Sequence, residues 1–224
     1  MLLKSVLLLV VSAAPALANT IIVNNVDTTL GEYSLYINET GTNTSAYWVG
    51  GIGISVDGYS RSVFCVQLFT DIYLNTTYTT TIDFSDTANL KRVGWLLQNE
   101  FPVGQVAGAG FQLAIWDIIE DNGDGFGTAT TTAGKVSQST DPSNPTTSTV
   151  LAAAVKYEAD SLGKTSDYGA VYNNFMGTTP VQNLMGTPVT DGGPSPAPEP
   201  SAILLMIGGL ALIGLGRLRL GRRG

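Results

Sequence analysis

The side chain in this sequence best suited to act as a soft nucleophile is Cys65, and histidine, the base on which most hydrolases rely, is missing altogether. Without histidine there is no Ser-His-Asp triad and almost no route to a catalytic zinc centre. No pair of acidic residues stands out by spacing as a glycosidase couple, so the chain does not read as an enzyme. A single cysteine also precludes a disulfide within the chain. Cys65 lies in Val63-Phe64-Cys65-Val66-Gln67-Leu68, and the residue type alone admits two readings: a small buried hydrophobe, or a thiol kept for reaction. Glu120, Asn122, Asp124 and Gly125 match the opening of an oxygen-ligand calcium loop, but its twelfth position is Thr131 where a bidentate glutamate belongs. That stretch reads as an acidic helix end turning into a Gly-rich loop, with no metal site and no cofactor implied.

The elements that must position these groups follow from hydrophobic periodicity. Ile21-Ile22-Val23, Tyr33 to Ile37, Tyr47-Trp48-Val49, Val63 to Phe69 and Tyr78 to Ile82 are short β-type runs punctuated by Asn24-Asn25 and Gly50-Gly51. Asp86 is placed to cap a helix carrying Leu90, Val93, Leu97 and Phe101, which Pro102 stops. A second helix, starting near Gly108 to Gly110, carries Phe111, Ala114, Ile115, Ile118 and Ile119 on one stripe, with Gln112 at its edge between Trp116 and Ile119. Ser148 caps a third, Thr149 to Leu162, after a Thr/Ser/Gly-rich stretch holding at most a strand near Lys135-Val136. The predicted class is mainly β with α (α+β): a β-sandwich or barrel-like sheet plus two or three helices.

The strand around Cys65 and the helix segment Phe111-Gln112-Leu113-Ala114-Ile115-Trp116 resemble the paired motifs of thioester domains found on bacterial surface adhesins, an aromatic-Cys-Val strand and Gln-x-Ala-Ile-Trp on a helix. In that family the cysteine sulfur and the glutamine carbonyl join with loss of ammonia, leaving an acyl thioester that captures an amine on a target surface. The resemblance implies Cys65 as thiol partner, Gln112 as acyl partner, and Phe64 and Trp116 as shielding from water. Such a bond must be sheltered until its target arrives.

The two ends read as addresses. Lys4, the apolar run Val6 to Val11 and Ala16-Leu17-Ala18 make residues 1–18 a secretory signal peptide cut before Asn19. At the other end, Pro198-Glu199-Pro200 is followed by the uncharged segment 201–216 and then Arg217, Arg219, Arg222 and Arg223. At about 1.5 Å per residue that segment spans roughly 24 Å, short of a bilayer core of about 30 Å, which suits a temporary anchor with a cytoplasmic C-terminus. Motif, span and basic end together resemble the PEP-CTERM sorting signal of Gram-negative bacteria. The resemblance implies recognition by an exosortase in an organism that secretes extracellular polysaccharide. The expected layout is signal peptide 1–18, exported domain 19–178, Pro/Gly-rich spacer 179–197 and sorting tail 198–224 with a transmembrane helix at 201–216.

Between the ends lie all eighteen acidic residues and only six basic ones, a net charge of −12 for residues 19–200. So acidic a surface repels phosphate backbones and excludes nucleic acid as a partner. The expected function is that of a secreted cell-surface or extracellular-matrix protein, passing the inner membrane transiently. It is either an adhesin whose thioester captures an amine-bearing surface or polysaccharide, or a non-reactive structural or carbohydrate-binding biofilm matrix protein.

Overall fold

The computed structural model describes residues 19–188, except 32, 40–42, 69, 85, 127–135 and 139–144. The signal peptide, spacer residues 189–197, Pro198-Glu199-Pro200, the 201–216 segment, the four terminal arginines and Thr131 all lie outside the described residues. Among the described residues no helix is long and apolar enough to cross a membrane.

In chain order the elements are β1 (Asn19–Asp27), β2 (Tyr33–Glu39), β3 (Asn43–Val49), β4 (Gly51–Val56), β5 (Tyr59–Cys65), β6 (Thr76–Phe84), α1 (Ala88–Asn99), α2 (Gln105–Asp121), β7 (Val136–Gln138), α3 (Pro145–Ser161), β8 (Ala170–Met176), β9 (Thr179–Pro180) and β10 (Leu184–Gly186). The main sheet runs β10-β5-β4-β1-β6-β8, and pairing of β10 with β8 closes it into an antiparallel barrel, with β9 appended to β8. A second sheet has the order β3-β2-β7. The mainly β, barrel-like reading with added helices is therefore what forms.

Period-two alternation builds the barrel interior. Ile21 and Val23 of β1, Ile54 and Val56 of β4, Val63, Tyr78, Tyr172 and Leu184 all point inward and are buried, while Ile22 faces out. The β4–β5 hairpin turns at Asp57-Gly58, both at positive φ (50° and 84°), as a two-residue type I′ turn requires. β4 is missing from the predicted strands because its glycines look like punctuation. Gly53 is instead a site of close approach, since a Cβ there would lie 2.6 Å from Asn25 Oδ1.

The helices cover the outer face of the barrel around β5, and α2 is the central one. Its residues Gly108 to Ile118 are all buried, so the helix has no solvated face for Gln112 to border, contrary to the predicted stripe edge. Phe111 packs at a tilt against Phe64 of β5, ring centroids 4.8 Å apart, and Gly110 lets α3 approach: a Cβ there would sit 2.6 Å from Ala153 Cβ. α2 starts three residues before the predicted Gly108, and α3 at Pro145 instead of Thr149. Thr87, not Asp86, caps α1, its Oγ1 accepting from Leu90 N–H, and the helix ends at Asn99, so Phe101 falls beyond it.

Two boundaries move. The strand through Cys65 ends at that residue, so Val66 to Leu68 of the predicted run lie beyond it, and Phe69 is outside the described residues. Residues 179–188, predicted as spacer, belong to the domain: β10 is fully buried and closes the barrel between β5 and β8. Proline and glycine content suggested a linker there, but Leu184 and Met185 supply the apolar side chains that the closing strand needs.

A Cβ on Gly108 would lie 1.9 Å from the Leu30 carbonyl oxygen, a backbone atom that cannot step aside. Gly108→Ala should destabilise the domain by about 3 kcal/mol in urea unfolding, and a loss below about 0.5 kcal/mol would mean that α2 does not seat here.

Candidate functional site around Cys65 and Gln112

At the end of β5 the barrel runs short of strand. The β4–β5 ladder stops at Ile52–Val63, two residues before Cys65. On the other side, Leu184 pairs with Cys65, and Val66 N–H donates to Asn183 C=O at 3.1 Å. Because successive residues of a strand point their backbone groups to opposite sides, the N–H and C=O of Cys65 face the gap that β4 has vacated.

Gln112 fills that gap from α2. Its Oε1 accepts the Cys65 N–H at 2.8 Å, and its Nε2 donates to the Cys65 C=O at 2.7 Å. A primary amide offers one acceptor and one donor side by side, so here it takes the place of the missing strand residue. The pairing assigns the amide orientation without ambiguity, since only oxygen can accept from the N–H. Gln112 is 1% exposed, and both of its polar atoms are satisfied. The two residues singled out by motif, 47 apart in sequence, are thus in direct contact.

Cys65 itself packs against both hydrophobic clusters and keeps part of its surface open to a cavity of about 510 Å³. Burial pushes its thiol up to about 12, so at neutral pH the sulfur carries its proton. The cavity is walled by Tyr47 and Trp48 of β3, Trp116 of α2, Leu68 and Ile72 of the β5–β6 connection, and Gln182. Trp116 lies one helical turn beyond Gln112 and therefore on the same side of α2. Its ring meets Tyr47 edge-on at 6.0 Å, and its buried indole N–H has no hydrogen-bond partner among the described residues. A guest in the cavity would find a donor there.

The two predicted shielding residues separate. Trp116 lines the cavity with Cys65, whereas Phe64 points to the opposite face of β5 and packs on Phe111 and Phe101. Alternation along the strand dictates this, since neighbours cannot share a face. On the cavity side the cover comes from Tyr47 and Leu68, neither of which the motif named.

The strand is also held from the β10 side. Asn183 N–H donates to Gln67 Oε1 at 2.9 Å, and Gln182 Nε2 donates to Gln67 C=O. Gln182 is 3% exposed, and nothing about a glutamine in a Pro/Gly-rich stretch announced its burial.

No family model, curated protein or solved structure matches this chain.

Removing the Gln112 amide leaves the Cys65 N–H and C=O buried and unpaired, so Gln112→Ala should cost about 2–4 kcal/mol in urea unfolding. A cost below about 1 kcal/mol would mean that water takes over both bonds. In its thiol form Cys65 should react slowly with iodoacetamide. Since the folded thiol ionises near 12 and an ordinary one near 9.0, the rate should climb about tenfold per pH unit through pH 9 and beyond. A plateau near pH 9 would contradict the burial of the sulfur.

Proposed function

We propose that this chain is an exported surface protein of a Gram-negative bacterium whose domain forms an internal thioester between Cys65 and Gln112 and uses it to capture an amine-bearing partner. The observation that carries the reading is the contact itself. The chain's one cysteine and a buried glutamine carboxamide meet through two hydrogen bonds, at 2.8 and 2.7 Å. Those bonds hold the amide carbon against the residue that bears the sulfur, the kind of proximity that turns a slow bimolecular displacement into a fast local one.

The reaction balances without a co-reactant. Cys65 sulfur attacks the Gln112 carbonyl carbon, the C–N bond breaks, and the thiol proton leaves with the amide nitrogen as ammonia. An amine on the target then attacks the thioester carbonyl, forming an amide to the target and returning the thiol. Each chain reacts once, so it is a capture protein and not an enzyme. The aromatic cavity beside Cys65 is the entry for that amine, with Trp116 and Tyr47 limiting water.

Delivery follows from the ends of the sequence. A signal peptide at 1–18 exports the chain, an exosortase recognises Pro198-Glu199-Pro200 with the 201–216 segment and its arginines, and the released domain joins the cell surface or extracellular matrix. An amine-bearing polysaccharide suits a domain with net charge −12 over residues 19–200.

The suppressed ionisation of the Cys65 thiol and the full hydrogen bonding of Gln112 favour a second reading. In it Gln112 is a structural plug, Cys65 is core filler, and the cavity with the largely exposed Trp48 (64%) binds carbohydrate in a matrix protein.

Intact mass decides between them. With the thioester the processed chain is one ammonia lighter than its sequence, and methylamine frees a thiol at Cys65. An unshifted mass with the thiol already titratable after unfolding would overturn the covalent reading. Co-sedimentation with polysaccharide that survives Cys65→Ala and is lost in Trp48→Ala would then establish the second.

A further inference from the structure

A separate cluster lies at the C-terminal end of α2, in which Asp124 of the calcium-loop pattern is joined by two carboxylates that the pattern did not include, Asp117 and Asp121. Asp117 and Asp121 are one turn apart on α2, and Asp124 follows in the loop after the left-handed residues Asn122 and Gly123. One carboxylate oxygen from each lies within 4.8 Å of the others. Oxygens bound to a single calcium ion at about 2.3–2.6 Å sit no farther apart than about 5 Å, so one ion can span the group as it stands. Of the predicted loop residues, Asn122 is otherwise engaged: its Oδ1 accepts from Asn89 Nδ2 at 3.1 Å and its carbonyl from Arg92 at 2.8 Å.

Proximity of acidic groups alone would mean little. The second observation is that Asp117 is fully buried, with Oδ2 accepting the Gly125 N–H at 3.2 Å, while among the described residues Oδ1 is answered by no donor other than a proton shared with the Glu158 or Asp121 carboxyl. Glu158 of α3, 7% exposed, stands beside it within carboxyl–carboxyl hydrogen-bond reach, and among the described residues no N–H donor answers its Oε1. The neighbouring cation, Arg92, does not answer either carboxylate by hydrogen bonding. Its guanidinium donates to Ser161 Oγ and to the carbonyls of Asn122 and Glu158. Buried anionic oxygens this close together require a proton or a metal ion between them. The carbonyl end of α2 adds its own negative potential.

We infer that Asp117, Asp121 and Asp124 form a calcium site, with Glu158 bordering it from α3, that ties the α2 end and the loop to Gly125 against the α1–α3 pair. Oxygen-only donors, one of them buried and one on a Gly-flanked loop, suit calcium better than a transition metal. The site is independent of Cys65, so it stands or falls separately from the thioester.

The test is calorimetric titration of calcium chloride into chelator-treated full-length chain, with thermal unfolding in parallel. One calcium per chain and a raised Tm are expected. Asp124→Asn, an exposed position that leaves folding intact, should weaken binding about tenfold or more, and Asp117→Asn should remove it while the chain stays folded without metal. Asp160→Asn, a surface carboxylate on α3, should bind like the parent. No heat and no Tm shift at millimolar calcium, or binding retained by both cluster variants, would overturn the site. An equal response to magnesium would overturn its assignment to calcium.

Discussion

A barrel strand that outruns its neighbour leaves backbone groups that must be answered from somewhere else. At Cys65 the answer is one side-chain amide, and much of the architecture is arranged to deliver it. Gln112 can reach the gap only because α2 lies close against β5, and α2 can lie so close only because Gly108 and Gly110 remove the side chains that would collide with Leu30 and α3. The burial of Phe64 under Phe111 fixes the height of the helix over the strand. From the other edge, β10 and the Gln67–Asn183 bond hold the same strand in register. Fold and candidate chemistry therefore share one requirement, a strand and a helix locked at a single point of contact.

The two ends of α2 face different problems. Its middle is apolar and finds apolar partners on every side. Its C-terminal end brings carboxylates together, Asp117 among them fully buried, with Arg92 committed to neutral oxygens. The helix thus carries a neutral polar plug at Gln112 and an anionic cluster from Asp117 onward. They lie on different parts of its surface, which is why the cavity beside Cys65 and the acidic cluster share no lining residue.

What could be read in the sequence was whatever a local period or motif records. The β-type runs of β1 and β6 and the helical period of α2 survive folding because they are short-range patterns. β4 was hidden because Gly51 and Gly53 serve close approach, yet glycine more often marks a turn. β10 was hidden because three residues cannot show a period, and its role, closing the barrel, exists only once β5 and β8 are in place. The burial of Gln112, of Gln182 and of Asp117 depends on what packs around them. A stripe edge or an acidic helix end looks solvated until α3 and the barrel are brought up to it. The pairing of Asp117 with Glu158, 41 residues along the chain, leaves no trace in either segment.

The position of β10 also has a mechanical side. It is the last strand among the described residues, which end two residues past it, so a pull on that end is carried first by three residues held between β5 and β8. Such a load would be transmitted through the Val66–Asn183 bond to the strand that ends in Cys65, the place where the barrel wall is already thinnest. A pull applied there would reach the Cys65 corner through a single short strand, so the order in which the chain closes its barrel sets the path of the load.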